Sequence, residues 1–313
     1  GGGIPPEGKS IGTLTALASI SIVLSVILLV VELMSMWMGV GATFEWLADK
    51  AFNVLALMPH LVVVGKLEGP SLQLFWLALV AMITVSAVFL FMKSKDAFVT
   101  ESYRNGDVEN TPLFWTTVCF SASIVITLGL NAIMSNMGTG ITVPDSIPIG
   151  NSPQALYEFA NAAVWEEIIS RIGYIGVPMT VIALCIRKSE WWKCLFGGFG
   201  MSRLAAVLII ISATVFAFAH MGAWGFTKVI PVFFGGVLFG YLFVRFGLYT
   251  CIMMHFLTDY MIVATETAMT LGGFIMLGLI IIGFVSVAYL LRHLYRNRWF
   301  WRDSPNIIPE ENQ

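Results

Sequence analysis

Residues 20–38 read ISIVLSVILLVVELMSMWM, an apolar run interrupted by a single charge, Glu32. At a rise of about 1.5 Å per residue, a helix through it nearly spans the ~30 Å hydrocarbon core of a bilayer. A second run of the same character covers Phe274 to Leu291. Neither run alternates with the period of two that a membrane β-strand shows. Backbone polar groups in lipid must be satisfied within the segment, so both runs read as transmembrane helices. Composition agrees, since 58% of the 313 residues are hydrophobic and 12% are charged, about half the charged share of soluble domains.

Hydropathy predicts eight spans, near 11–38, 71–92, 112–134, 155–186, 203–221, 227–245, 248–268 and 272–292. The expected fold is all-α, a polytopic membrane protein. The run from Ile11 to Met38 is too long for a signal-peptide core. The opening GGGIPPEGK lacks Met, reads as a trimmed terminus and is set aside. Between the first two spans, residues 43–64 are half apolar and carry Glu45, Asp49, Lys50 and Asn53. The expectation there is an interfacial or re-entrant helix, with a ninth span as the rival. The organisation is then a tail over 1–10, the first three spans with the interfacial helix over 11–150, a core carrying the polar chemistry over 151–292, and a cytoplasmic tail over 293–313.

Basic residues orient the spans, because cytoplasmic loops are enriched in Lys and Arg. Lys93, Lys95 and Arg104 follow the second span, Arg187, Lys188, Lys193 and Arg203 the fourth, Arg245 the sixth, and Arg292, Arg296, Arg298 and Arg302 the eighth. The segment from Ser135 to Glu158 carries neither Lys nor Arg. Both termini are therefore expected in the cytoplasm, with Trp299, Phe300 and Trp301 as an interfacial belt. Cys119, Cys185, Cys194 and Cys251 show no CxxC pair, and because Cys185, Cys194 and Cys251 fall toward the expected cytoplasmic ends, reduced thiols are expected. A net charge of −2 supplies no basic field for nucleic acid. Neither a cofactor nor a metal is expected, and the bilayer itself is a partner.

Ionisable residues within spans are costly and default to a functional reading. They are Glu166, Glu167 and Arg171 in the fourth span, His220 at the end of the fifth, and His255 and Asp259 in the seventh. Glu32, Glu266 and His60 are read as interfacial. Residues four apart share a helix face, so Glu167 and Arg171 suit an ion pair, structural or catalytic, which leaves Glu166 without an opposite charge in register. His255 and Asp259 share a face in the same way, and His220 follows Phe216 by four. If the three faces converge, they assemble an unpaired Glu, two His and an Asp. A carboxylate held out of bulk water can serve as general base for water, and imidazoles can orient that water or stabilise an oxyanion. Hydrolysis of a buried amide fits this set, whereas no GxSxG elbow points to a covalent enzyme. Gly236 and Gly240 form a GxxxG in the sixth span, the signature of close helix packing.

Three short motifs in order carry a resemblance: EEIISR at 166–171, FAFAH at 216–220 and HFLTD at 255–259. They resemble the EExxxR, FxxxH and histidine-led third motif of the CAAX-protease and bacteriocin-processing family of intramembrane glutamate proteases, which includes the Ras-converting CAAX endopeptidases. The resemblance covers about residues 155–268. It implies an eight-helix core and a membrane-associated peptide or protein substrate, prenylated or not. It also implies that Glu166 activates water, His220 holds that water, and His255 with residue 259 forms the oxyanion site. Glu167, Arg171 and Phe216 are then supporting residues. Residue 259 is Asp where the CAAX endopeptidases have Asn, and an ionised Asp accepts hydrogen bonds where Asn can donate. Two other classes use similar residues: a zinc-dependent membrane protease, although no HExxH is present, and a non-proteolytic scaffold or transporter.

Overall fold

The computed structural model describes residues 12–296, except 59, 100–106, 142, 145–146 and 149. Arg104 and the aromatic belt at Trp299, Phe300 and Trp301 lie outside the described residues. Among the described residues, seven helices are long and apolar enough to cross a membrane: Thr13–Asp49, Pro70–Phe98, Pro112–Asn136, Pro153–Cys185, Arg203–Trp224, Phe226–Arg245 and Met269–Arg296. An eighth span arises if Leu248–Asp259 and Met261–Thr267, bent by 47° to one another, are counted together. The chain is therefore a nearly all-α, multi-pass integral membrane protein, and its spans are numbered first to eighth in chain order, the bent pair being the seventh and Met269–Arg296 the eighth.

Local chemistry sets several of the starts. Thr111, Ser152 and Ser202 each cap a helix, their hydroxyls accepting from the N–H of Phe114, Ala155 and Ala205 at 3.1–3.2 Å. Pro112 and Pro153 follow two of these caps, in the first turn, where a missing N–H costs nothing. The third span and the first part of the seventh form the centre, buried through Phe114, Trp115, Phe120, Met253, Phe256 and neighbouring residues. The outer spans expose Val23, Met34, Leu74, Val85, Phe274 and Phe284, as lipid contact requires.

Hydroxyl pairs tie the spans where apolar packing gives no direction. Ser121 meets Ser286 at 2.8 Å between the third and eighth spans, and Ser21 meets Thr117 at 3.1 Å between the first and third. The GxxxG reading is borne out. A Cβ on Gly236 would stand 3.0 Å from Ala213, and one on Gly240 would stand 2.8 Å from Ile209, so the small residues let the fifth and sixth spans touch.

One prediction is corrected. Residues 43–64 do not form an interfacial helix: the first helix continues to Trp46, a short 3₁₀ turn covers Leu47–Asp49, and a hairpin follows. Strand β1, Ala51–Leu57, pairs antiparallel with β2, Leu61–Glu68. The two strands carry Phe52, Val54, Val62, Val63 and Val64, residue types that favour strands. Glu32 is also corrected, because it is fully buried instead of interfacial.

The turn between the sixth and seventh spans is a tight one at Gly247, whose φ of 113° suits glycine alone. It is covered by the chain that follows the fourth span. Gly198 N–H donates to Phe243 C=O at 2.8 Å and Gly200 N–H to Val244 C=O at 2.9 Å. The adjacent Arg245 guanidinium lies 4.4 Å from the Trp115 ring, so this cation is stacked within the protein.

Candidate active site

The fourth span widens where the charged residues lie. After α-helix over Pro153–Asn161, the hydrogen bonding shifts to the i→i+5 pattern over Ala162–Glu166 and Ile168–Gly176, then returns to α-helix at Val177. Hydroxyls inserted into a helix ladder loosen it, and two act here. Ser170 Oγ donates to the Glu166 carbonyl, and Ser212 of the fifth span donates to the Ser170 carbonyl at 2.9 Å. Such π-helical segments are uncommon and concentrate at functional sites.

The two glutamates diverge from this segment. Glu167 is fully buried: its Oε2 accepts from Arg171 Nε at 3.0 Å and its Oε1 faces His255 Nδ1 at 2.9 Å. Arg171, also fully buried, donates from Nη1 to Ser212 at 2.7 Å and stacks 4.9 Å from Phe216 and 5.6 Å from Phe239. Glu166 instead retains 32% exposure of its side chain and points to the two imidazoles. Its Oε2 lies 3.7 Å from His220 Nε2 and 4.0 Å from His255 Nε2.

The histidines are oriented by other partners. His220 Nδ1 contacts the Phe216 carbonyl at 2.9 Å, which calls for a proton on Nδ1 and turns Nε2 toward Glu166. Phe216 also meets the His220 ring edge-on at 4.7 Å, so the phenylalanine of the FAFAH motif positions its histidine through both backbone and ring. His255 is held from both sides, by Glu167 at Nδ1 and by Asp259 Oδ2 at 3.3 Å from Nε2. Asp259 thus stands with Oδ2 against the His255 ring.

A cavity of about 190 Å³ lies against this cluster. Glu166, His220, Trp165, Phe216 and Trp224 form one wall, and residues of β1 form another. The structure therefore brings together all the residues predicted for the site. Sequence reasoning missed Ser212, Phe239 and the hairpin wall. Lys228, with its ammonium 4.0 Å from the Trp224 ring, adds a cation beside the cavity. Among the described residues, no group of three or more His, Cys, Asp and Glu is arranged to hold a metal ion.

Residues 148–261 match the family model of the type II CAAX prenyl endopeptidases, Rce1-like. The segment resembles a CAAX-protease domain. It contains the three motifs and ends just beyond Asp259, so the family match and the polar cluster coincide. Neither a curated protein nor a solved structure matches the chain. That family is one of membrane-embedded proteases, in keeping with the apolar spans around the cluster.

Proposed function

We propose that the protein is an intramembrane endopeptidase in which Glu166 activates water against a peptide bond. The observation that carries this reading is the position of Glu166. Its Oε2 stands 3.7 and 4.0 Å from two imidazole nitrogens, beyond direct hydrogen bonding and suited to one shared water, at the wall of the cavity. Glu166 takes a proton from the water, whose oxygen attacks the carbonyl carbon. The C–N bond then breaks, and the proton passes from Glu166 to the leaving amine. His220 Nε2 orients the water. His255, held at Nδ1 by Glu167, shares its single Nε2 hydrogen between Asp259, which aims it, and the developing oxyanion. Asp259 is accordingly a positioning residue in this mechanism, and the oxyanion rests on His255.

The apolar lining, with Phe52, Leu55, Phe75, Trp165 and Trp224, supports a substrate with apolar flanks, such as a prenylated CAAX-type tail. Lys93 and Lys95 at the end of the second span, Lys188 and Lys193 after the fourth, and Arg292 and Arg296 at the end of the eighth support cytoplasmic termini. Arg245, stacked on Trp115, carries little weight in that count.

The test is Glu166→Gln, assayed on a prenylated CAAX peptide and on a mixed peptide library in detergent or liposomes. Removing the general base is expected to lower turnover by about 10²–10⁴-fold while thermal unfolding stays near wild type. Cleavage at an unchanged rate would sink the glutamate mechanism. Complete loss on chelation, restored by zinc, would favour a metal-dependent protease instead.

A further inference from the structure

Five of the seven β1 residues border the cavity, and Phe52, Asn53, Val54 and Leu55 are consecutive. Successive strand side chains point to opposite faces, so four in a row on one cavity bring an edge of β1 to it, while Leu61 and Leu67 of β2 border it from a face of the hairpin. The hydrogen bonds identify that edge. Lys50 C=O accepts from Gly69 N–H at 3.2 Å, and Met58 N–H donates to His60 C=O at 2.8 Å; the register shift between them, at Val54/Leu55, skips Val64 of β2 and leaves the alternation of β1 intact, so its even-numbered backbone groups face β2. Leu55 C=O accepts from Trp165 Nε1 at 2.7 Å and Leu57 C=O from Tyr174 Oη at 2.8 Å, so the odd-numbered groups face the fourth span.

Asn53 belongs to the odd set. Among the described residues nothing outside the hairpin bonds to its N–H or C=O or to the Leu55 N–H, and Asn53 is exposed. An open strand edge is a template for another extended chain. This one borders the same cavity as Glu166, whose chain neighbour Trp165 fixes the strand in place.

We infer that the β1 edge from Asn53 to Leu55 binds the substrate as an added strand. The occupant is an extended peptide segment: its backbone pairs with the N–H and C=O of Asn53 and the N–H of Leu55, and its apolar side chains fill the cavity. The scissile carbonyl is thereby carried toward Glu166 and His220. This inference rests on the proteolytic reading above and adds that a helical substrate segment must unwind to be cut.

The test uses full-length protein and a peptide library, with cleaved members identified by mass spectrometry. One cleaved peptide is then resynthesised with single N-methylated amides along its length. Strand pairing predicts losses of about tenfold in kcat/KM at alternate residues, the effect of one missing hydrogen bond each. Asn53→Pro removes an N–H that takes no part in β1–β2 pairing and is expected to raise KM by a similar factor. Asn53→Ala, which keeps that N–H, should lose less. Cleavage that Glu166→Gln abolishes but that shows no alternation along the peptide overturns the strand proposal alone. Wild-type protein that cleaves no member of the library overturns the proteolytic reading and this inference with it.

Discussion

Glu167→Met tests the buried charge network most directly. Glu167 and Arg171 are both fully buried, joined at 3.0 Å, and Glu167 also faces His255 Nδ1 at 2.9 Å. Removing the acid strips both partners at once. The guanidinium, whose Nη2 already lacks a hydrogen-bond partner, keeps only Ser212 and the faces of Phe216 and Phe239. Breaking a buried pair from one side typically costs about 3–5 kcal/mol, a factor of roughly 10²–10⁴ in the unfolding equilibrium. Replacing both ions by apolar residues of similar length is usually neutral or stabilising, so Glu167→Met with Arg171→Met should regain most of that loss. Activity should not return with it, because His255 still lacks its Nδ1 partner. The measurements are equilibrium unfolding in mixed micelles by titration with denaturing detergent, and kcat/KM on the same preparations. A single mutant as stable as wild type, or a double mutant no more stable than the single, would refute the account.

Glu32 invites the opposite change. It is fully buried in the first span and neither carboxyl oxygen has a hydrogen-bond partner, so Glu32→Leu removes an unsatisfied group and should hold or raise the unfolding midpoint. A clear drop in midpoint would show that the carboxyl is satisfied after all. Asp259→Asn keeps an acceptor oxygen for His255 and should remain within about tenfold of wild-type turnover, with Asp259→Ala losing more, since a charge-assisted hydrogen bond is worth roughly 1.5–3 kcal/mol. Equal losses for the two variants would remove the positioning role.

The sequence was most legible where one physical rule dominates. Unbroken apolar runs had to become helices, and the third to seventh predicted spans fall within a few residues of the observed ones, while the first runs eleven residues past its predicted end. The i,i+4 rule separated Glu167 from Glu166 before any contact was known, and the observed pair at 3.0 Å agrees. The hairpin was misread because a half-apolar segment between two spans suits an interfacial helix equally well by composition. Pro59, Gly65 and the Leu61–Val64 run were the available strand signals. Glu32 was misplaced because the first span is longer than its hydropathy peak, which put an apparent helix end near a buried position. The widening of the fourth span was not legible, since it depends partly on Ser212, a residue of the next span. Long-range hydroxyl contacts of that kind leave no trace in a local pattern.

The clasp over Gly247 has a practical consequence for anyone modifying this protein. A topology diagram would draw residues 187–203 as one loop, a convenient place for a tag or a split reporter. Its second half is in fact bonded to the end of the sixth span at Phe243 and Val244, and the chain reaches His255 within the next few turns. A fusion placed there would pull on the imidazole from behind, and an inactive product could be mistaken for evidence about chemistry. The exposed residues 186–190 precede the clasp and offer the safer attachment point.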